Sequence, residues 1–182
     1  AVVNYYEAKA YCAWLTEQDK AKMPYRLLQE SEHLAIRDPA LSAAMDFEPG
    51  AAEQFDLDSV MARGTASAIN HNLRYGSEGA VDALHANEQG FYDTFGNVWQ
   101  WCEDPFHPLP EFKIHPFYTD FSTPCFDGEH QMILGGSFIS TGDEASIWSR
   151  FHFRPHFFQH AGFRVVLDTG AAEPQATLDS RE

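Results

Sequence analysis

Helical periodicity stops early in this chain, and that restricts the fold more than any other feature. "NYYEAKAYCAWLTEQ" reads as a helix capped by Asn4, with Glu7 three residues on as in a capping box. Ala8, Tyr11, Trp14 and Leu15 lie on its apolar stripe. "KMPYRLL" is a short extended entry, and a second helix, "ESEHLAIRD", ends before Pro39. Beyond it "PALSAAMDFEPGAAEQFDLDS" and "NHNLRYGSEGAVDALHANEQG" have no period. A stretch that long needs packing or function of its own. Only short strand-like runs follow, "NVWQW", "MILGGSF" and "GFRVVL", cut apart by turns with Pro, Gly and Asp. The pattern predicts an α+β domain with two helices first and a loop-rich, strand-organised remainder. Aromatic residues make up 14% of the chain, and rings can staple loops at small entropic cost.

With 182 residues and a formal net charge of -15, the chain suits one domain over residues 1–168, with 169–182 as a flexible tail or linker. Nucleic-acid binding is excluded as a function class, since neutralising phosphates takes a basic face. No apolar run reaches the ~20 residues of a membrane helix, and no signal peptide is visible. Cys12, Cys102 and Cys125 are odd in number and lack CxxC spacing, so they read as small buried hydrophobes in a reducing, cytoplasmic compartment.

"NYYEAKAYCAWL", "PYRLLQESEH", "GFYDTFGNVWQWCED", "ILGGSF" and "AGFRVV" together resemble the formylglycine-generating-enzyme/sulfatase-modifying domain, a variant of the C-type lectin fold. The run from His115 to Arg164 is similar to the 5-histidylcysteine sulfoxide synthases of ovothiol biosynthesis, relatives of the ergothioneine synthases. That resemblance implies a non-haem Fe(II) enzyme joining cysteine to the histidine imidazole with dioxygen. It also implies that the iron sits in a DinB-like domain outside this chain, on an HxxxHxE motif this sequence lacks. The family's N-terminal strands are missing too, which predicts an exposed strand edge, and the chain alone is expected to be inactive.

"FHFRPHFFQH" spaces His152, His156 and His160 four apart, as helical metal ligands would be. Pro155 breaks such a helix and no carboxylate lies in the segment, so no metal ligand is assigned to this chain. His160 reads as a core group. The resemblance implies a substrate-binding stretch here, carried by His152, Phe153, Arg154 and His156. A guanidinium suits a zwitterion's carboxylate, and imidazoles and rings suit an imidazole substrate. The family also implies a catalytic tyrosine, here Tyr118 unless its position falls on Phe117, which has no hydroxyl to donate. Where formylglycine-generating enzymes carry a calcium-binding Glu this chain has Gln100, so calcium is not expected. Trp99 and Trp101 read as structural and Asn97 as closing a turn. The cysteine pair of copper-type formylglycine chemistry is absent between Trp148 and Arg164. "STGDEAS" reads as a surface turn and Asp127-Gly128 as a hairpin turn. The alternative reading is a non-catalytic, ligand-binding C-type-lectin-like module.

Overall fold

The structure is a computed structural model that describes residues 1–19, 23–37, 69–118, 123–141, 144–147 and 149–169. Helix α1 spans Tyr5–Gln18 and carries the expected capping box: Glu7 N–H donates to Asn4 Oδ1 at 2.9 Å, and Asn4 N–H to Glu7 Oε2 at 3.0 Å. Strand β1 (Tyr25–Leu27) follows, then α2 (Glu30–Ile36), β2 (Trp99–Pro105), a 3-10 turn at Thr123–Cys125, β3 (Gln131–Leu134), β4 (Phe151–Phe153), β5 (Ala161–Phe163) and β6 (Val165–Leu167). The fold is α+β, as the sequence predicts. The acidic stretch from Pro39 to Ser59, Trp148, and all of the expected tail but Thr169 lie outside the described residues.

The larger sheet has the order β4-β3-β2-β5. β3 pairs antiparallel with β2 and β4, and β5 lies parallel to β2. β1 and β6 form a second, two-stranded antiparallel sheet, and among the described residues β6 has a strand on one edge only. Alternation along the strands sorts side chains onto two faces. Trp99, Trp101, Ile133 and Ala161 pack with Leu27 and with Ala8 and Cys12 of α1. Cys102, Met132 and Leu134 pack on the other face with Phe106, Cys125 and Phe126. Trp101 is fully buried, meets Tyr5 edge-on at 6.1 Å, and donates its indole N–H to Val3 O at 2.9 Å.

The inward face of α1 differs from expectation. Ala8 and Cys12 face the sheet, while Tyr11 and Trp14 are exposed and pack on each other at 5.5 Å. Along the middle of α1 the sheet contact is made by the small Ala8 and Cys12, and the large ring that meets Trp101 is Tyr5 at the start of the helix. His160, expected in the core, is exposed with its ring edge-on to Phe138 at 5.4 Å. "STGDEAS" is not simply a surface turn, because Ser140, Ala145 and Ser146 are buried. Gly136 (φ +75°) explains the tight fit there, since a Cβ on it would lie 2.6 Å from Ala145 Cα.

Over residues 69–98 the loop before β2 is held by amides as much as by rings. Asn87 Nδ2 donates to Ile36 O at 2.7 Å, and its Oδ1 accepts from Gln89 and Phe91 N–H. Asn97 sits at φ +61° and is buried. Its Nδ2 donates to Asp93 Oδ2 and Gly79 O, and its Oδ1 accepts from Gly79 N–H. It closes its own turn and also ties the 70–80 loop to β2.

Candidate functional site

Strand alternation decides what the His152–His156 stretch can present. In β4, His152 lies opposite Met132 and Phe153 opposite Gln131. Phe153 packs with the α1-side core, and its neighbour Phe151 meets Trp99 at 5.3 Å. The His152 ring turns to the other face, 4.3 Å from Phe106 and edge-on to His130 at 5.1 Å. The four expected substrate residues therefore do not form one wall. Phe153 packs, partly buried, against the α1-side core, because neighbouring residues on a strand point apart.

Arg154 returns to the His152 side and pairs with Glu129 at 2.8 Å, both side chains well exposed. His156 is exposed and its ring contacts Phe157 at 4.5 Å. The turn around Asp127-Gly128 joins no paired strands. It is an Asx turn leading into β3: Asp127 Oδ1 accepts from Glu129 N–H at 2.8 Å and His130 N–H at 3.1 Å, with Gly128 at φ +74°. Asp127 also accepts from His130 Nδ1–H, 2.9 Å from either oxygen. Those bonds, the one from His130 first, hold the Asp127 carboxyl down at about 2. His152 is shifted down by burial first and by His130 second, against the pull of Asp127, so it is neutral at neutral pH.

One ligand atom each of Cys125, His130 and His152 lies within 4.8 Å of the others. Cys125 is half-buried and belongs to this cluster, whereas Cys12 and Cys102 are buried as expected. His152 Nδ1 is buried with no hydrogen-bond partner. Sequence reasoning missed Cys125, Asp127, Glu129 and His130 as neighbours of His152 and Arg154. The available signal was "CFDGEH" ending next to a strand that must pair with another strand carrying histidine.

A bidentate pair fixes the base of β4. Arg150 Nε and Nη2 lie 2.6 and 2.9 Å from the Glu30 oxygens, and Arg150 Nη2 also donates to His107 O at 3.1 Å. Tyr118 is largely exposed, its N–H donating to His115 O at 3.0 Å, and Phe117 beside it is 91% exposed. Gln100 is buried; its Nε2 donates to Asp93 O at 3.1 Å and its Oε1 accepts from Arg164 Nε at 2.6 Å. A glutamate could not make the first of these bonds. A cavity of about 170 Å³ opens beside Asp93 and Asn97, lined also by Asn70, Tyr75 and Leu84. None of the expected substrate residues lines it.

Residues 1–169 match the model of the sulfatase-modifying factor enzyme 1-like domain, FGE-sulfatase. The chain belongs to the FGE-sulfatase family. A hercynine oxygenase of Mycobacterium tuberculosis is 31% identical to this FGE-sulfatase chain over 135 residues, 74% of the chain and 28% of the relative. An ergothioneine biosynthesis protein 1 of Schizosaccharomyces pombe is 29% identical over 83 residues, 46% of this chain and 10% of that protein. The chain thus spans less than a third of the length of these curated relatives. Among solved structures, Treponema denticola variable protein 1 superposes with a TM-score of 0.58 at 18% identity, over 90% of this chain and 69% of that one, which shows the fold alone. No helix among the described residues is long and apolar enough to cross a membrane.

Proposed function

We propose that this chain is the FGE-sulfatase part of a non-haem Fe(II), dioxygen-dependent sulfoxide synthase of ovothiol biosynthesis, joining cysteine to the histidine imidazole in the cytoplasm. The observation that carries most weight is the 31% identity to a hercynine oxygenase across three quarters of the chain. The placement of His152 and Arg154 on one side of β4, beside the acidic Asp127–Glu129 turn, supports it further. Arg154 is exposed and its partner is a single exposed carboxylate. An incoming amino-acid carboxylate can exchange with Glu129 there, since surface pairs are weak. His152 and His156 offer hydrogen bonds to the imidazole substrate, and Phe153 acts only by fixing β4 to the core. The Tyr118 hydroxyl is the proton donor to the sulfur chemistry.

The iron does not fit the described residues. Non-haem oxygenase iron takes two histidines and a carboxylate in a facial set. The metal-competent group here contains a thiol and two imidazoles. A DinB-like partner domain or chain is proposed to hold the iron, so none of the roles above is routed through it.

The test supplies the full-length protein with ferrous iron, dioxygen and cysteine, offering histidine and hercynine in parallel, with product read by mass spectrometry. Sulfoxide on histidine supports the ovothiol assignment. Sulfoxide on hercynine alone replaces it with an ergothioneine-type role. Oxygen-dependent product from neither, in iron-loaded protein, favours the ligand-binding module. Tyr118→Phe is expected to divert product toward cysteine sulfinate, and unchanged sulfoxide would remove the tyrosine from the chemistry.

A further inference from the structure

We propose that Cys125, His130 and His152 form a zinc site on the sheet face opposite helix α1. The three residues come from the 3-10 turn, the Asx turn and β4, and their ligand atoms already lie within 4.8 Å of one another. In a tetrahedral site with Zn–S of ~2.3 Å and Zn–N of ~2.0–2.1 Å, ligand atoms lie roughly 3.3–3.6 Å apart. The present separation is within about 1.5 Å of that spacing. The proposal departs from the sequence expectation of a chain without metal ligands, and it needs neither the iron nor the sulfoxide chemistry.

Three further observations point to a metal rather than to packing. Both Asp127 oxygens lie 2.9 Å from His130 Nδ1, so His130 donates from Nδ1 and leaves its Nε2 lone pair available. A carboxylate behind an imidazole is the arrangement that orients and strengthens metal-bound histidines. His152 Nδ1 is buried without a hydrogen-bond partner, a cost that a second ligand role for the cluster would offset. The rings are also held in place. Phe106 lies 4.3 Å from the His152 ring, and Phe126, next to Cys125 in sequence, packs on Phe106 at 5.1 Å.

A thiolate with two imidazoles selects zinc over magnesium or calcium, which require oxygen ligands. Three protein ligands leave a fourth position for water or an incoming thiolate, and all three side chains are partly exposed. Asp127 stays outside the coordination sphere, since both of its oxygens are used on His130.

The experiment strips the full-length protein with a chelator and titrates it with Co²⁺ as a spectroscopic stand-in, then with Zn²⁺. A thiolate-to-cobalt charge-transfer band, with visible bands of four-coordinate cobalt lost on adding zinc, is expected. Cys125→Ser should abolish the charge-transfer band with the circular dichroism unchanged. Asp127→Asn should keep the band and weaken affinity about 10–100-fold. Zinc should also shield Cys125 of the unaltered protein from alkylation, mapped by peptide mass, which avoids any folding defect of a variant. Absence of the band, a band that survives Cys125→Ser, or alkylation of Cys125 at the same rate with and without zinc would each overturn the assignment.

Discussion

The two faces of the four-stranded sheet are built from neighbouring residues of the same strands but do different work. On one, Trp99, Trp101 and Ile133 form a buried core with Ala8 and Cys12 of α1, and Phe153 packs on it partly buried. On the other, Met132, Leu134 and Cys102 form an apolar floor under His130, His152 and Cys125. The first face is covered by a helix whose backbone satisfies itself. The second is covered by a turn and a 3-10 segment whose side chains must satisfy polar groups, and one of these, His152 Nδ1, is left unsatisfied. The proposed sites for His152 and the zinc therefore lie on the second face, and the core packed on α1 lies on the first.

The largest test of that division is Trp101→Ala. It removes a fully buried ring and strands Val3 O, so a loss of about 3–5 kcal/mol in urea unfolding is expected. A loss under about 1 kcal/mol would mean that the helix-covered face is not the main source of stability.

His33 extends the comparison to a buried imidazole beyond the sheet. It is fully buried, donates from Nε2 to Thr94 O at 3.1 Å, and burial lowers its pKa to about 4. An unfolded histidine titrates near 6.5, so the unfolded state binds the proton more readily between the two values. Stability from this group is complete above about pH 6.5, falls as pH drops toward 4, and levels off below, by about 3 kcal/mol in all. His33→Gln should flatten that part of the stability–pH curve, and an unaltered slope would show the imidazole to be solvated.

The sharpest comparison lies within β4. Phe153→Ala should cost about 2–3 kcal/mol, since the ring packs on the core. His152→Ala, one residue away, should cost less than about 1 kcal/mol, because a partly exposed ring and an unpartnered nitrogen are removed. Product formation should respond in the opposite order. Equal stability losses would contradict the assignment of the two residues to different faces.

Arg154→Ala should have the smallest effect on folding, within about 0.5 kcal/mol, because its pair with Glu129 is exposed and screened. Sulfoxide formation by the full-length protein should nevertheless fall through weaker substrate binding, read as a raised KM. An unchanged KM would take Arg154 out of the pocket.

Both helices, the α1 cap and the three strand-like runs were legible because each rests on local rules: Asn4 with Glu7, a helical period, and alternation bounded by turns. The inward face of α1 is not legible in the same way: ring size at Tyr11 and Trp14 suggests burial, whereas the residues the helix buries in the core are Ala8 and Cys12. The loop before β2 was expected to be stapled by rings, yet Asn87 and Asn97 share that task, since only a side-chain amide can serve several backbone groups at once.

The sequence by itself determined the α+β class, both helices, the family resemblance and which residue types were available for chemistry. Those are properties of local periodicity and composition, which survive in any arrangement of the chain. Strand β4 lies outside the strand-like runs the sequence shows, and "GFRVVL" divides between β5 and β6 of different sheets. Only the tertiary structure decided which histidine meets which partner. Pairing of β3 with β4 sets His152 opposite Met132 and beside His130, two residues upstream of it, and separates His152 from Phe153 across the sheet. A shift of one residue in that register would send His152 into the core and Phe153 to the open face. The spacing of histidines within one segment could not reveal a site whose members come from three.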